Sequence, residues 1–170
     1  MDDQPQSIAQ KGLGWVRSIV WSVLLTLGVV LVMASLRGGP LQTTVAPPLS
    51  GVDMTGKAVD IATLTGKPVV LYFWASWCGA CKLTSPTVDA YAQSHPDVTV
   101  IGVAMEDAAD ARKYLTDHER HFRILAASEK IQHDWPVRAL PTTVVLDKAG
   151  RIAWQRVGVL LPFELNVHVD

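Results

Sequence analysis

The chain contains only two cysteines, and they stand in C-x-x-C spacing at Cys78 and Cys81. The residues just before them, Pro68 to Phe73, form a short apolar run rich in β-branched and aromatic side chains, which predicts a buried strand. The residues after them, Leu83 to Ser94, predict a helix. The cysteines therefore lie where a strand passes into the N-terminus of a helix. Free backbone N–H groups and the helix dipole favour a thiolate at that position.

Composition argues against nucleic-acid binding and against a disulfide-stabilised scaffold. The formal net charge of the 170 residues is −1 with histidine neutral, so no basic excess points to nucleic acid. Two cysteines are too few for a disulfide scaffold, and a domain of this size does not need one. The pair is therefore interpreted as chemical rather than structural.

An apolar stretch near the N-terminus predicts a membrane anchor. Ile19 to Leu36 contains no charged residue and, at about 1.5 Å per residue, nearly spans a ~30 Å hydrocarbon core. Lys11 and Arg17 precede it and only Arg37 follows, which favours a cytoplasmic N-terminus. The predicted organisation is a short cytoplasmic tail over 1–18, a transmembrane anchor over 19–37, a Pro/Gly/Thr-rich linker over 38–50 and a domain over 51–170.

Two alternatives to an anchor stay open. Val32-Met33-Ala34 is an acceptable signal-peptidase site, although the apolar core exceeds the usual ~7–15 residues. The stretch could also be a buried helix of the domain, but it carries no amphipathic pattern. An anchor and a cleaved signal peptide both place the domain in an extracytoplasmic compartment where disulfides persist.

The domain reads as alternating strands and helices that end in a hairpin, which predicts a mixed α/β sheet with helices on both faces. The predicted elements are a small hairpin turning at Thr55–Lys57, strands over 68–74, 98–104, 123–125, 142–146 and 151–157, and helices over 83–94, 107–122, 128–135 and 160–169. Pro86 falls inside a predicted helix and should kink it.

Several motifs resemble the thioredoxin superfamily, in particular its membrane-anchored TlpA/ResA/CcmG-like branch. They are GKPVVLYFWASWCGACK, Pro86 eight residues after Cys78, VRALPT over 137–142 before a strand, and the hairpin VLDKAGRI over 145–152. The single anchor and abbreviated C-terminus look most like the suppressor-of-copper-sensitivity D type of periplasmic disulfide oxidoreductase. The resemblance implies a thioredoxin-like mixed sheet flanked by helices, here preceded by one transmembrane helix.

The resemblance also implies roles for the two cysteines. Cys78 would lie at the tip of the first long helix as the exposed nucleophile, and Cys81 would face inward as the resolving thiol. Together they would form a redox-active disulfide. Pro141 would follow a cis peptide bond and face the pair, an uncommon conformation that occurs in about 5–6% of such bonds.

Substrate-binding residues follow from the same resemblance. Trp77 is expected to belong to the docking surface, although it could be only a lid on the core. Leu140 and Pro141 are expected to offer backbone groups to an extended substrate. Thr142 is included in this set, although it could merely start a strand.

The sequence departs from its relatives in three places. Many thioredoxins carry a buried acid six residues before the first cysteine, whereas this chain has Tyr72. The dipeptide between the cysteines is Gly79-Ala80 rather than Gly-Pro. Relatives dedicated to cytochrome c maturation often have an acid soon after the second cysteine, and Lys82 to Ser85 supplies none. A cytoplasmic-type thioredoxin and a dedicated cytochrome maturation factor are both disfavoured.

The predicted function is a membrane-anchored periplasmic thiol–disulfide oxidoreductase that uses Cys78 and Cys81. Expected partners are protein thiols or disulfides and a membrane redox protein that recycles the pair, with no cofactor, no metal and no nucleic acid. A role in copper tolerance accompanies the subfamily resemblance. The alternatives are a Cu(I)-binding module and a thiol peroxidase. His118 and His121 could pair on a metal, but a solvated helix face is the favoured interpretation.

Overall fold

The computed structural model describes residues 17–29 and 45–169, in two units that divide at residues 39 and 40. In the N-terminal unit, residues 17–29 are helical (α1). Of the helices in the described ranges, none combines the length and the apolar character needed to cross a membrane. Residues 1–16 of the predicted tail, 30–37 of the predicted anchor and 38–44 of the predicted linker lie outside the described residues.

Five strands form the central sheet of the second unit: β3 Val69–Trp74, β4 Thr99–Ala104, β5 Arg123–Ala126, β6 Thr142–Leu146 and β7 Ile152–Val157. They lie in the order β5-β4-β3-β6-β7. Strand β4 is parallel to both β3 and β5, whereas β6 is antiparallel to both β3 and β7. All six residues of β3 are buried, as its uninterrupted apolar sequence predicts for a central strand covered on both faces.

Helices cover both faces of this sheet, which confirms the predicted thioredoxin-like α/β fold. The helices are α2 Gly79–Ser94, α3 Ala108–Asp117, α4 Glu129–Asp134 and α5 Pro162–His168. Alternate residues of β3 enter two separate cores. Tyr72 and Trp74 pack with residues of α2, α3 and α5, while Phe73 packs with Trp135 and residues of α4.

The predicted small hairpin forms from β1 Ser50–Val52 and β2 Ala58–Asp60. The buried carboxylate of Asp53 closes it by accepting hydrogen bonds from Thr55, Lys57 and the Arg123 guanidinium of β5. Burial alone would raise the pKa of Asp53, but the hydrogen bonds from Thr55, Lys57 and Arg123 hold it well below its usual range. The hairpin is thereby fixed to the edge of the main sheet.

Residues 45–50, which the sequence placed in the linker, contact the domain. Leu49 is fully buried, and the indole of Trp135 donates to the carbonyl of Pro48. Val45 forms an isolated antiparallel bridge with Arg151.

Two helices differ in length from the sequence prediction. Helix α2 begins at Gly79 rather than at Leu83, because its first turn is set by the cysteine cap and not by apolar periodicity. Helix α3 ends at Asp117 rather than at Phe122, because the chain leaves the helix to bury the Phe122 ring ahead of β5. Pro86 lies inside α2, as predicted.

Candidate active site

The two cysteines form a disulfide across the first turn of α2, with 5.2 Å between their Cα atoms. Cys78 is the N-cap residue, and its sulfur accepts a hydrogen bond from the backbone N–H of Cys81 at 3.2 Å. A sulfur in this position replaces the usual capping oxygen, and it accepts a hydrogen bond from one of the free backbone N–H groups at the start of the helix. The same contact would stabilise a Cys78 thiolate.

Exposure distinguishes the two sulfur-bearing residues. Cys78 is 7% exposed and Cys81 is 0% exposed. Cys78 is therefore more covered than an exposed nucleophile would be, because it packs into the core that contains Trp74 and Ala75. Of the two residues, only Cys78 keeps any exposed surface.

Tyr72 occupies the place of the buried acid found in many thioredoxins. Its hydroxyl donates to the Cys81 carbonyl at 3.0 Å and lies 3.2 Å from the Ser85 hydroxyl. Burial raises the pKa of Tyr72 to about 12, with a smaller opposing effect from the Ser85 hydrogen bond. The hydroxyl is therefore neutral at physiological pH and acts as a donor, not as a base.

Glu106 fixes the loop that carries the disulfide, a role that the sequence analysis missed. Its carboxylate accepts from the Ser76 backbone N–H at 2.7 Å and from the Ser76 hydroxyl at 2.8 Å. Glu106 follows the carboxyl end of β4, and β4 pairs in parallel with β3, so both loops leave the sheet at one edge. An acid two residues after a predicted buried strand is the signal that could have identified it.

Two tryptophans flank the loop in different environments. Trp77 is 70% exposed beside Cys78, whereas Trp74 is 3% exposed and packs beneath the loop. The ring of Trp74 lies 5.6 Å from that of Tyr114 on α3. Trp77 thus offers a large apolar surface to solvent next to the disulfide.

The Leu140-Pro141 segment reaches the same edge of the sheet. The peptide bond between these residues is cis, as the resemblance implies. Thr142 pairs with Phe73 at the carboxyl end of β3, which places the segment at the end of the sheet where the cysteine loop begins. Thr142 is buried, and its hydroxyl donates to the Ala139 carbonyl at 2.7 Å, so it holds the loop before β6.

The histidines do not converge. His118 stacks on Tyr114 with 4.1 Å between ring centroids, whereas His121 contacts the Asp89 carboxylate at 2.9 Å. Within residues 17–29 and 45–169, no group of three or more His, Cys, Asp or Glu side chains is arranged to hold a metal ion.

Comparison with known proteins identifies similar chains and folds. The model of the AhpC/TSA family matches residues 43–155. A thiol:disulfide interchange protein DsbE homolog of Paracoccus denitrificans is 32% identical over 121 residues, which cover 68% of this chain and 66% of that protein. The thiol-disulfide oxidoreductase ResA of Bacillus anthracis is 27% identical, over 66% of this chain and 68% of that protein.

A solved structure gives the same picture at the level of the fold. A DsbE-type thiol:disulfide interchange protein of Chlorobium tepidum superposes with a TM-score of 0.66 at 26% identity, over 72% of this chain and 89% of that chain.

Proposed function

The chain belongs to the AhpC/TSA family and is a protein thiol–disulfide oxidoreductase, and on that premise we propose that Cys78 attacks and Cys81 resolves in exchange with protein substrates outside the cytoplasm. The observation that carries this proposal is the difference in exposure between two cysteines whose sulfurs are bonded to each other. Only the outer sulfur can meet a partner, and only the inner one can complete the exchange.

In the reducing direction, the Cys78 thiolate attacks one sulfur of a substrate disulfide. That disulfide breaks, and the departing substrate thiolate takes up a proton. Cys81 then loses its proton and attacks the Cys78 sulfur, which releases the second substrate thiol and restores the Cys78–Cys81 disulfide. Two electrons and two protons pass to the substrate, and the reverse sequence donates a disulfide.

Residues around the disulfide have supporting roles in this proposal. The N–H of Cys81 stabilises the Cys78 thiolate, and Glu106 holds the Ser76 end of the loop. Trp77 provides docking surface, and the Leu140-Pro141 backbone lies at the same edge for strand-like pairing with an extended substrate. Proline has no N–H at this position that could compete for the sulfur.

A Cys81→Ser variant tests the assignment of the two cysteines. It should trap a mixed disulfide between Cys78 and a protein substrate, because the resolving thiol is absent. Non-reducing electrophoresis and mass spectrometry would detect the adduct, and Cys78→Ser is the matched control that should trap none. Adducts formed equally by both variants would refute the proposed order of attack, and adducts formed by Cys78→Ser alone would reverse it.

Cu(I) binding and peroxide reduction are alternative functions that the same purified protein can test. Tight Cu(I) binding by the reduced wild type without any trapped adduct would favour a copper module with two soft thiolate ligands. Rapid peroxide consumption would favour a thiol peroxidase. The residue three before Cys78 is Ala75, which does not match the Thr/Ser-x-x-Cys setting expected of such peroxidases.

We further propose that the chain is anchored in the inner membrane with its domain in the periplasm. The support is the uncharged stretch from Ile19 to Leu36 and the positive charges that precede it. In the described part of this stretch, apolar side chains such as Trp21 and Leu25 are exposed, which is unfavourable in water. A membrane redox protein would recycle the cysteine pair in that compartment.

A further inference from the structure

An open groove of about 500 Å³ runs beside the disulfide. Ser76 and Trp77 form one wall, and residues of α3 form the other. Because Trp77 adjoins Cys78 in the chain, a segment held in this groove lies against the loop that leads into the disulfide.

The groove is acidic. Three carboxylates, from Glu106, Asp110 and Asp117, line it together with one ammonium group, from Lys113. Within residues 17–29 and 45–169, the Glu106 carboxylate accepts from neutral donors of Ser76 and forms no ion pair. Asp110 and Asp117 are exposed and form no ion pair among the described residues.

The position of Asp117 is not explained by helix stability. It is the last residue of α3, where the helix dipole disfavours an anion, and no basic residue of the last turn offsets it. Asp110, in contrast, lies in the first turn, where an anion is favoured.

Aromatic rings complete the lining. Tyr114 and His118 stack at 4.1 Å between centroids, with Trp77 exposed on the facing wall. The Nζ atom of Lys82, on α2, lies 5.7 Å from the Tyr114 ring centroid, so this ring already faces one cation. Even with Lys82 counted, carboxylates outnumber ammonium groups at the groove.

We propose that this groove docks substrate segments that carry arginine or lysine next to their reactive cysteine. The proposal rests on the proposed function, since it names the substrate class of the same disulfide. Carboxylates attract the cation during encounter, and the exposed ring of Trp77 favours a guanidinium once it is bound. An acidic segment is disfavoured by like charge.

Matched peptide disulfides test the proposal. The full chain in detergent is reduced with dithiothreitol, freed of it, and mixed with disulfide-linked peptides that differ only in having Arg, Gln or Glu on either side of the cysteine. The reaction passes two electrons and two protons from Cys78 and Cys81 to the peptide disulfide. We expect the second-order rate constant for the Arg peptide to exceed that for the Glu peptide by about three- to tenfold at low salt.

Variants that neutralise the carboxylates test whether the groove causes the preference for the Arg peptide. The ratio of the Arg to the Glu rate constant should fall to within about twofold in Asp110→Asn/Asp117→Asn, since two of the three carboxylates are then neutral. Asp97→Asn is the control, because Asp97 is exposed just before the amino end of β4 and Glu106 follows its carboxyl end. It should keep the wild-type ratio. Salt at about 1 M should reduce the wild-type ratio in the same way, which tests the charge effect without any substitution.

The possible results distinguish failure of the proposed function from failure of the docking proposal. If reduced wild type does not reduce the small neutral disulfide hydroxyethyl disulfide, the proposed function is overturned. If it does so but reacts equally with the Arg and Glu peptides, or if the double variant keeps the full preference, only the docking proposal is overturned.

Discussion

At the scale of single residues, the most distinctive feature is Tyr72 behind Cys81. Relatives that place an acid at this point have a proton acceptor there, whereas this chain has a hydroxyl whose pKa is raised to about 12. The hydroxyl instead ties the Cys81 carbonyl of α2 to β3. Tyr72 is therefore a positioning residue for Cys81.

Replacing Tyr72 by Phe should lower the free energy of unfolding by about 1 kcal/mol at pH 7, because a buried carbonyl and the Ser85 hydroxyl lose a partner. The pH dependence has a definite sign. Folding raises the pKa of Tyr72 from 10.0 to about 12, so the contribution of the neutral form is complete below pH 10 and is lost as pH rises through 12. The difference between wild type and Tyr72→Phe should shrink in that window, as measured by urea unfolding.

Tyr114→Phe is the matched control, because within the described residues the Tyr114 hydroxyl donates to no protein acceptor. A Tyr72→Phe variant with wild-type stability at pH 7 would show that the hydroxyl does not hold α2 in place.

At the scale of elements, strand β4 leaves room for aromatic side chains to pack closely beneath the disulfide. Gly102 pairs with Tyr72 and Ile124 on its two neighbouring strands. A Cβ atom at this position would lie 2.7 Å from the Phe122 ring and 3.2 Å from the Trp74 indole nitrogen. The missing side chain leaves the space in which these two rings pack.

Gly102→Ala should destabilise the domain by about 1–3 kcal/mol through overpacking. It should also change the emission of Trp74, which the added methyl group displaces. Gly51→Ala in β1 is the control, since its Cβ would meet Leu125 at an ordinary 3.7 Å. Chemical denaturation followed by tryptophan fluorescence measures both effects, and equal stability of the two variants would refute the close packing at β4.

At the scale of the whole molecule, the proposed membrane anchor can be tested directly. Full-length protein should stay with the membrane fraction after alkaline carbonate extraction. Leu25→Arg/Val29→Arg should reduce this retention, because each charge costs about 2.5–3.5 kcal/mol at the centre of a spanning helix. Leu25→Ile/Val29→Ile is the control and should be retained.

Two results would contradict this prediction in different ways. A soluble periplasmic form shortened near Ala34 would show that the stretch is a cleaved signal peptide rather than an anchor. The proposed compartment would be unchanged. A soluble full-length form in the cytosol would refute both the anchor and the compartment.

Much of the architecture was predictable from local sequence. The apolar run of β3, the cysteines after it and the hairpin of β6 and β7 were all located correctly, because burial and tight turns leave patterns in neighbouring residues. The helix ends at Gly79 and Asp117 were misplaced, because a sulfur cap and a buried ring after the helix do not alter apolar periodicity. The cis bond before Pro141 came from the resemblance alone.

The sequence by itself determined the reactive pair, its place between a strand and a helix, and the order of the elements around it. Only the tertiary structure decided the surroundings of that pair: Glu106 on Ser76, Tyr72 on the Cys81 carbonyl, and the acidic groove beside Trp77. The physical reason is distance along the chain. The register of β3 against β4 brings Glu106 to a loop 30 residues earlier, and pairing across such a separation depends on the packing of the whole sheet rather than on any local pattern.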